Sequence, residues 1–515
     1  WPFKRSFYRQ FGWETANKYV RYEIDPDALA FAADAVDDSG TFWNASADDW
    51  RRLRAMCVDH LKRETRHSFL RASEVIGAIN AMLEAMPEWK RTEFREKHLD
   101  VDAENLDPAL AIRRESGTRY LYLRSVFEDE RAIEKVLRDL CGAPDVRLRS
   151  PVTSSHWHDF LYDASSVLAR EHPSDYEGAI AQQVKVCEKV FPRPLSVLSG
   201  AAGTGKTTVI KAAIRAIQRG HGGRGSMQLL APTGKAADRI REGLRELAEQ
   251  VPVATIHSFL AKRGWLNDNL TFKREGGKQE KDTATIIIDE SSMMDLHLAA
   301  ALFRAIHWGS VQRLILVGDP NQLPPIGRGK VFSDVIAWLQ EHSPESIGIL
   351  EMSIRQMENR LTGKGTGILD LASIYVGARR SEEKDEATEL EAEEVLRRCH
   401  EGGDVAEDLR IVYWDDPDDL AQKLVGTIKE DMQRDAGQDV DMSTSYGLWR
   451  AAFGDYSRPE YQQVMSPYRG EEFGTERLNV VLQEHARGRQ IEHGQHLGKI
   501  AMFDKVIQFR NRPKS

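Results

Sequence analysis

The chain has 515 residues, of which 41% are hydrophobic and 29% charged, and its formal net charge is −9. That length calls for roughly three domains, and no apolar run approaches the ~20 residues a membrane helix needs. The acidic balance excludes a general nucleic-acid coat protein and confines any nucleic-acid contact to a local groove.

Residues 1 to about 175 pattern as helix. RRLRAMCVDHLKRE and ASEVIGAINAMLEAM place apolar residues three and four apart. No catalytic pattern occurs there. SHWHDF sets His156 and His158 beside Asp159, but without a third ligand cluster they read as packing or surface histidines, not a metal site. Cys57, Cys141, Cys187 and Cys399 are far apart with no CxxC, which favours reduced thiols and a cytoplasmic setting over a disulfide framework or a zinc site.

From about 176 short apolar strands alternate with helices. SVLSG, SMQLLAP, TATIIIDE and RLILVGD are the strands, and GTGKTTVIKAAIRAI and KAADRIREGLRELAEQ are two of the helices. This alternation predicts a parallel sheet covered on both faces. After Leu350 a second block opens with helix and passes the charge-dense run 379–394, read as a solvated helix or insertion. It then offers RIVYW, QQVMSPY and KVIQF as strands.

GAAGTGKT (Gly200–Thr207) follows a strand and opens a helix, as a phosphate-binding loop must. Gly200, Gly203, Thr204 and Gly205 curve the backbone around phosphates. Lys206 reaches the β/γ-phosphates, Thr207 offers a Mg²⁺ ligand, and Thr208 completes the first turn. IIIDESS ends a strand in two carboxylates, with Asp289 to hold Mg²⁺ and Glu290 to activate water. LVGDPNQLPP places Gln322 near a γ-phosphate, and Arg355 in LEMSIRQ is a cation expected to reach the site from across a domain cleft. A second Gly-Lys pair, APTGKAADRI, lacks both the upstream glycine and a hydroxyl after Lys235, so it is not a second nucleotide loop.

Taken in this order, GAAGTGKTT, APTGKAA, TIHSFL, IIIDESSMMD, LVGDPNQLPPIGRG and the IRQ around Arg355 resemble the bacterial RecD-like branch of superfamily 1B DNA helicases. VMSPYRGEEFGTERLNVVLQ (464–483) and FDKVIQFRN (503–511) are similar to that family's second motor domain, YLYLRSVFEDERAIEKVL (120–137) to the helix before the motor, and HSFLRASEV to its accessory domain. The resemblance implies an α/β P-loop NTPase with two RecA-like domains, each a parallel sheet flanked by helices, after a mostly helical N-terminal region. The expected division is an accessory region of helix-hairpin-helix or winged-helix type at 1–110 and a helical linker at 111–175. The first motor domain follows at 176–345, with a duplex-splitting hairpin at 263–283, and an incomplete second motor domain occupies 346–515. Implied cofactors are ATP and Mg²⁺, with Gln183 (Gln182 adjacent) contacting adenine. Implied partners are single-stranded DNA, duplex junctions and a nuclease or repair protein. Pro232, Thr233, Lys235 and His257 would contact DNA phosphate.

Two of the family's motifs do not occur before Ser515, and Ala201 stands where it usually has glycine, so the expectation is a piece of a longer protein. The implied activity is ATP-driven 5′–3′ helicase or translocase action in DNA repair, recombination or anti-phage defence. An ATP-gated DNA-binding or scaffolding subunit of a nuclease-helicase assembly, or the motor half of a conjugative relaxase, fits the same motifs.

Overall fold

The computed structural model describes residues 49–501 apart from 87, 89–90, 222–225, 245–250, 268, 364, 378–385, 437–462, 495 and 498–499. The chain divides into two compact units, Trp1–Thr362 and Gly363–Ser515. In the first unit, strands β1 (Phe69–Arg71), β2 (Leu110–Glu115) and β3 (Thr118–Leu123) form an antiparallel sheet. Strands β4 (Leu195–Gly200), β5 (Met227–Ala231), β6 (Val253–Thr255), β7 (Thr285–Ile288), β8 (Arg313–Gly318) and β9 (Ile347–Leu350) form a parallel sheet in the order β6-β5-β7-β8-β4-β9.

Every residue of β4, β5, β7 and β8 is buried, because helices cover both faces and both sets of alternating side chains leave water. Val197, Ile286, Ile288, Leu314 and Leu316 enter a core shared with the N-terminal helices. Leu198, Ile287, Ile315 and Val317 enter a second core with helices Pro173–Val190 and Lys206–His221. Since all six strands run the same way, their carboxyl ends emerge along one edge, where open α/β sheets bind ligands. This is the α/β P-loop architecture implied by the motifs.

Three boundaries differ from expectation. Strand β9 lies beyond the division expected at 345/346, yet it pairs with β4 and its IGIL side chains are largely buried, so it completes the first sheet. Helix Ile354–Thr362 also belongs to the first unit. Upstream, the division at 110/111 cuts through a β-hairpin: β2 and β3 join at Ser116–Gly117, both at positive φ (47° and 81°), the mirror-image turn that matches strand twist. Residues 120–123 are accordingly strand, and the helix before the motor begins at Arg124 and runs to Cys141.

The second unit holds helices Gly367–Gly377, Glu386–Glu401, Pro417–Ala436 and Thr475–Glu492. Its described strands form two antiparallel pairs, Gly403–Ala406 with Leu409–Ile411 and His496–Leu497 with Ile500–Ala501. Within RIVYW the strand ends at Ile411, and residues 463–468 of QQVMSPY are not strand. The strand expected at 503–511 lies outside the described residues. Among the described residues no helix is long and apolar enough to cross a membrane, and all four cysteines are free.

Candidate nucleotide site and nucleic-acid edge

Strand β4 runs directly into the glycine loop. A Cβ at Gly200 would stand 2.5 Å from Thr204 Oγ1 and 3.0 Å from Leu350 Cβ. Gly203 and Gly205 have φ of 82° and 86°, open to glycine at little cost. A Cβ at Gly203 would meet Arg355 Cβ at 2.7 Å, and one at Gly205 would meet Gln183 Nε2 at 2.6 Å. The glycines therefore serve both backbone curvature and close approach. Thr204 is buried and donates to the Ala201 carbonyl at 2.9 Å. Lys206 opens the helix, and its ammonium donates to the carbonyls of Gly200 (2.6 Å) and Ala201 (3.0 Å). Thr207, exposed, and Thr208, half-buried, follow in the first turn.

The two carboxylates leave β7 through a tight reversal. Glu290 is left-handed (φ 51°, ψ 38°) and begins a short 3-10 turn, Ser291–Met293. A non-glycine residue there carries strain of about 1 kcal/mol, which such sites tend to store. Asp289 is buried, and its carboxyl is pushed up to about 6. Burial is the main cause. The Glu290 charge also raises it, whereas the Glu290 N–H bond (2.9 Å) and the Lys206 ammonium pull it down. Lys206 and Asp289 thus feel one another's charge. Glu290 Oε2 is buried, and it has no hydrogen-bond partner among the described residues. A half-screened carboxylate, an orphaned carboxylate oxygen, a lysine and an adjacent hydroxyl form a donor set that fits Mg²⁺ and a polyphosphate.

The remaining predicted residues lie around this loop in different ways. Gln183 is buried and donates from Nε2 to the Thr204 carbonyl at 3.0 Å, so it braces the loop. Gln182 accepts from the Met352 N–H at 3.2 Å and donates to Glu351 at 3.1 Å, tying the end of β9 to the same helix. Arg355 does not come from a second domain. It lies in the first unit, its N–H donates to the Gly203 carbonyl at 3.3 Å, and its side chain is exposed. Gln322 is exposed, and its N–H donates to the carbonyl of Asp319, a buried residue at the end of β8.

Beside the site, β5 ends at Ala231 and the chain enters helix Gly234–Gly243. Thr233 caps it, its Oγ1 accepting from the Ala236 N–H at 3.2 Å, which leaves its O–H able to donate to a phosphate. Pro232 is half-buried and Lys235 exposed in the first turn. His257 follows β6, and its ring lies 5.5 Å from Phe272. Burial pushes its pKa down against the opposing pull of Asp295, so the ring is neutral near pH 7. In the insertion, Leu266 and Phe272 form a single bridge. Trp265 is buried, with its indole N–H donating to the Lys278 carbonyl at 2.9 Å, so it anchors the insertion from within.

Residues 182–328 match the model of a family described as an AAA domain. A RecBCD enzyme subunit RecD of Mycolicibacterium smegmatis is 32% identical over 204 residues, covering 35% of this chain and 36% of the relative. An ATP-dependent RecD2 DNA helicase of Deinococcus radiodurans is 29% identical over 299 residues, covering 56% and 37%. Over these stretches the chain is similar to RecD-type proteins. An uncharacterized protein of Methanocaldococcus jannaschii is 28% identical over 363 residues, covering 66% of this chain and 29% of the relative. The chain thus spans between 29% and 37% of the length of these three relatives.

Sequence reading missed two devices that hold this core to its N-terminal region. Arg328, at the end of the LPPIGRG loop, is buried and donates to the carbonyls of Leu61 and Glu64 (2.8 Å for Glu64) at the end of helix Trp50–Arg63. Asp129 is buried on helix Arg124–Cys141 and accepts from Arg304 at 2.6 Å and His297 at 2.7 Å. Its pKa is lowered, since these two partners outweigh the burial that opposes them. An acidic residue on the apolar stripe of an amphipathic helix, as Asp129 is between Val126 and Ile133, was the available signal. The two histidines of SHWHDF are structural: His156 accepts from the Thr153 N–H (3.1 Å) at the start of its own helix, and His158 pairs with Glu177 at 3.0 Å.

Proposed function

We propose that this chain is the ATP-hydrolysing motor of a 5′–3′ DNA helicase or translocase that acts on single-stranded DNA and duplex junctions in repair, recombination or defence. The observation that carries the reading is the Asp289–Glu290 pair at the carboxyl edge, within electrostatic reach of Lys206 and with one Glu290 oxygen orphaned. A scaffold has no physical use for that second carboxylate.

In this mechanism Lys206 exchanges its two loop carbonyls for phosphate oxygens, and the loop and helix N–H groups hold the rest of the anion. Thr207 and Asp289 would hold Mg²⁺, which would supply charge neutralisation on the polyphosphate. Glu290 orients the attacking water and takes its proton. Arg355 and Gln322, both exposed next to the loop or at the end of β8, contact the γ-phosphate side, Arg355 stabilising charge in the transition state. Gln183, as a brace of the loop, sets its shape for the base. Pro232, Thr233, Lys235 and His257 line the neighbouring edge for the DNA strand, as the family's arrangement implies. The DNA partner, the Mg²⁺ and the strand polarity all belong to this proposal and rest on its motifs.

DNA-stimulated ATP hydrolysis by the purified chain tests it. Glu290→Gln retains nucleotide binding and loses turnover by about a hundredfold or more. Unchanged turnover in that variant points instead to an ATP-gated scaffold.

A further inference from the structure

The antiparallel sheet of the N-terminal region has two chemically different faces, because side chains alternate along each strand. Phe69 lies opposite Tyr122 and Arg71 opposite Tyr120 across β1 and β3. Ala111 lies opposite Tyr122 and Arg113 opposite Tyr120 across β2 and β3. One face therefore carries two rows, Phe69–Tyr122–Ala111 and Arg71–Tyr120–Arg113. The other face carries Leu110, Leu121 and Leu123, all buried in the core.

The aromatic face does not belong to that core. Phe69 is 41% exposed, with its ring 5.3 Å from Tyr120 and 5.0 Å from Tyr122. Tyr122 meets Phe127 edge-on at 5.4 Å, and the Arg113 guanidinium lies 4.9 Å over Phe127. Charge separates the faces as well. On the core side Arg114 and Arg119 are neutralised by Asp100 and Glu96. On the aromatic side, among the described residues, Arg71 and Arg113 form no ion pair. Glu115 stands at the hairpin end of this face and Glu130 acts on Tyr122, so the free positive charge is concentrated in the row that holds Tyr120.

We infer that this face is a stacking platform for single-stranded nucleic acid, separate from the edge beside the nucleotide loop. Unpaired bases stack on Phe69, Tyr120 and Tyr122, and phosphates meet Arg71 and Arg113. Phe69 is exposed and Tyr120 and Tyr122 are half-buried, so the row offers partly open π-faces that an unpaired base can cover, and guanidiniums without an ion pair complement a phosphate backbone. The placement of two tyrosines on the central strand, flanked by arginines on both neighbours, gives bases and backbone adjacent tracks.

The test is fluorescence anisotropy of the whole chain with a fluorescein-labelled oligothymidylate, without nucleotide, across a salt series. Phe69→Ala combined with Tyr120→Ala weakens binding about tenfold or more, whereas Tyr120→Phe, which keeps the ring, binds like the parent. Arg71→Gln combined with Arg113→Gln lowers the slope of log affinity against log salt by about 1.4. Photocrosslinking from 5-iodouracil in the same strand labels peptides containing Phe69, Tyr120 or Tyr122, and it still does so in Lys206→Ala. Parent-like affinity in both double variants with no crosslink on those peptides overturns the platform, even where DNA-dependent ATP turnover is intact. An equal loss of affinity for a blunt duplex overturns base stacking as its basis.

Discussion

Asp289 occupies the last buried position before the chain reverses at Glu290, and its folded-state carboxyl is held at about 6 against an ordinary 3.8. The sign of the consequence follows from proton linkage. Between these values the unfolded chain has already lost its proton and the folded chain keeps it, so stability falls as pH rises through about 6. The shift corresponds to about 3 kcal/mol of penalty above that pH. In Mg²⁺-free buffer, Asp289→Asn is therefore more resistant to heat than the parent near pH 8, and the difference closes towards pH 4. Thermal unfolding at several pH values reads this directly, and a variant less stable than the parent at pH 8 contradicts it. The strain at Glu290 has the same character. A site shaped to hold a cation and a triphosphate keeps carboxylates where the empty fold would not choose them.

At the scale of elements, the loop from β8 to helix Val331–His342 is fixed at both ends by different physics. Its start is a buried strand terminus with Asp319, whose carboxylate accepts from the Asn321 N–H at 2.9 Å. Its end is Arg328, which donates to the last carbonyls of helix Trp50–Arg63, where a cation also suits the helix dipole. Between them Leu323 and Ile326 are 87% and 100% exposed, so the middle of the loop, including Gln322, has little packing of its own. Arg328→Ala leaves the Leu61 and Glu64 carbonyls without their donor and costs about 2–3 kcal/mol locally. Hydrogen exchange across residues 50–63 speeds up accordingly, while that of β4, β7 and β8 is unchanged. Equal acceleration in both places contradicts a local anchor. Strand β8, which leads into this loop, was legible in the sequence because it is apolar on both faces and ends in Gly-Asp. The anchor was not, because an arginine paired to carbonyls 264 and 267 residues away leaves no local pattern.

Across the whole molecule, what could be read in advance tracks how local the physics is. Lys206, Asp289 and Glu290 sit where a strand end and a helix start put them, and those signals lie within a few residues. Strand β9 was assigned to the wrong domain because only its pairing with β4, far away in sequence, reveals its place. The β2–β3 hairpin was read as linker and helix because residues 120–137 resemble the helix before the motor, although Tyr120, Leu121, Tyr122 and Leu123 alternate with the period of a strand. The same distinction separates the two Gly-Lys turns. Lys206 enters a helix from a loop with two left-handed glycines, whereas Lys235 enters one from Pro232 and a Thr233 cap. Both helices present N–H groups to an anion, but only the first loop can wrap one. Lys206→Ala therefore abolishes ATP turnover with or without DNA. Lys235→Ala leaves nucleotide affinity near the parent value, weakens single-strand binding and lowers its salt slope by about 0.7. His257→Ala, which removes a neutral ring, weakens binding without changing that slope near pH 7.5. Nucleotide titration and salt-dependent anisotropy on the three variants separate fuel from track, and equal loss of nucleotide affinity in Lys206→Ala and Lys235→Ala contradicts the division.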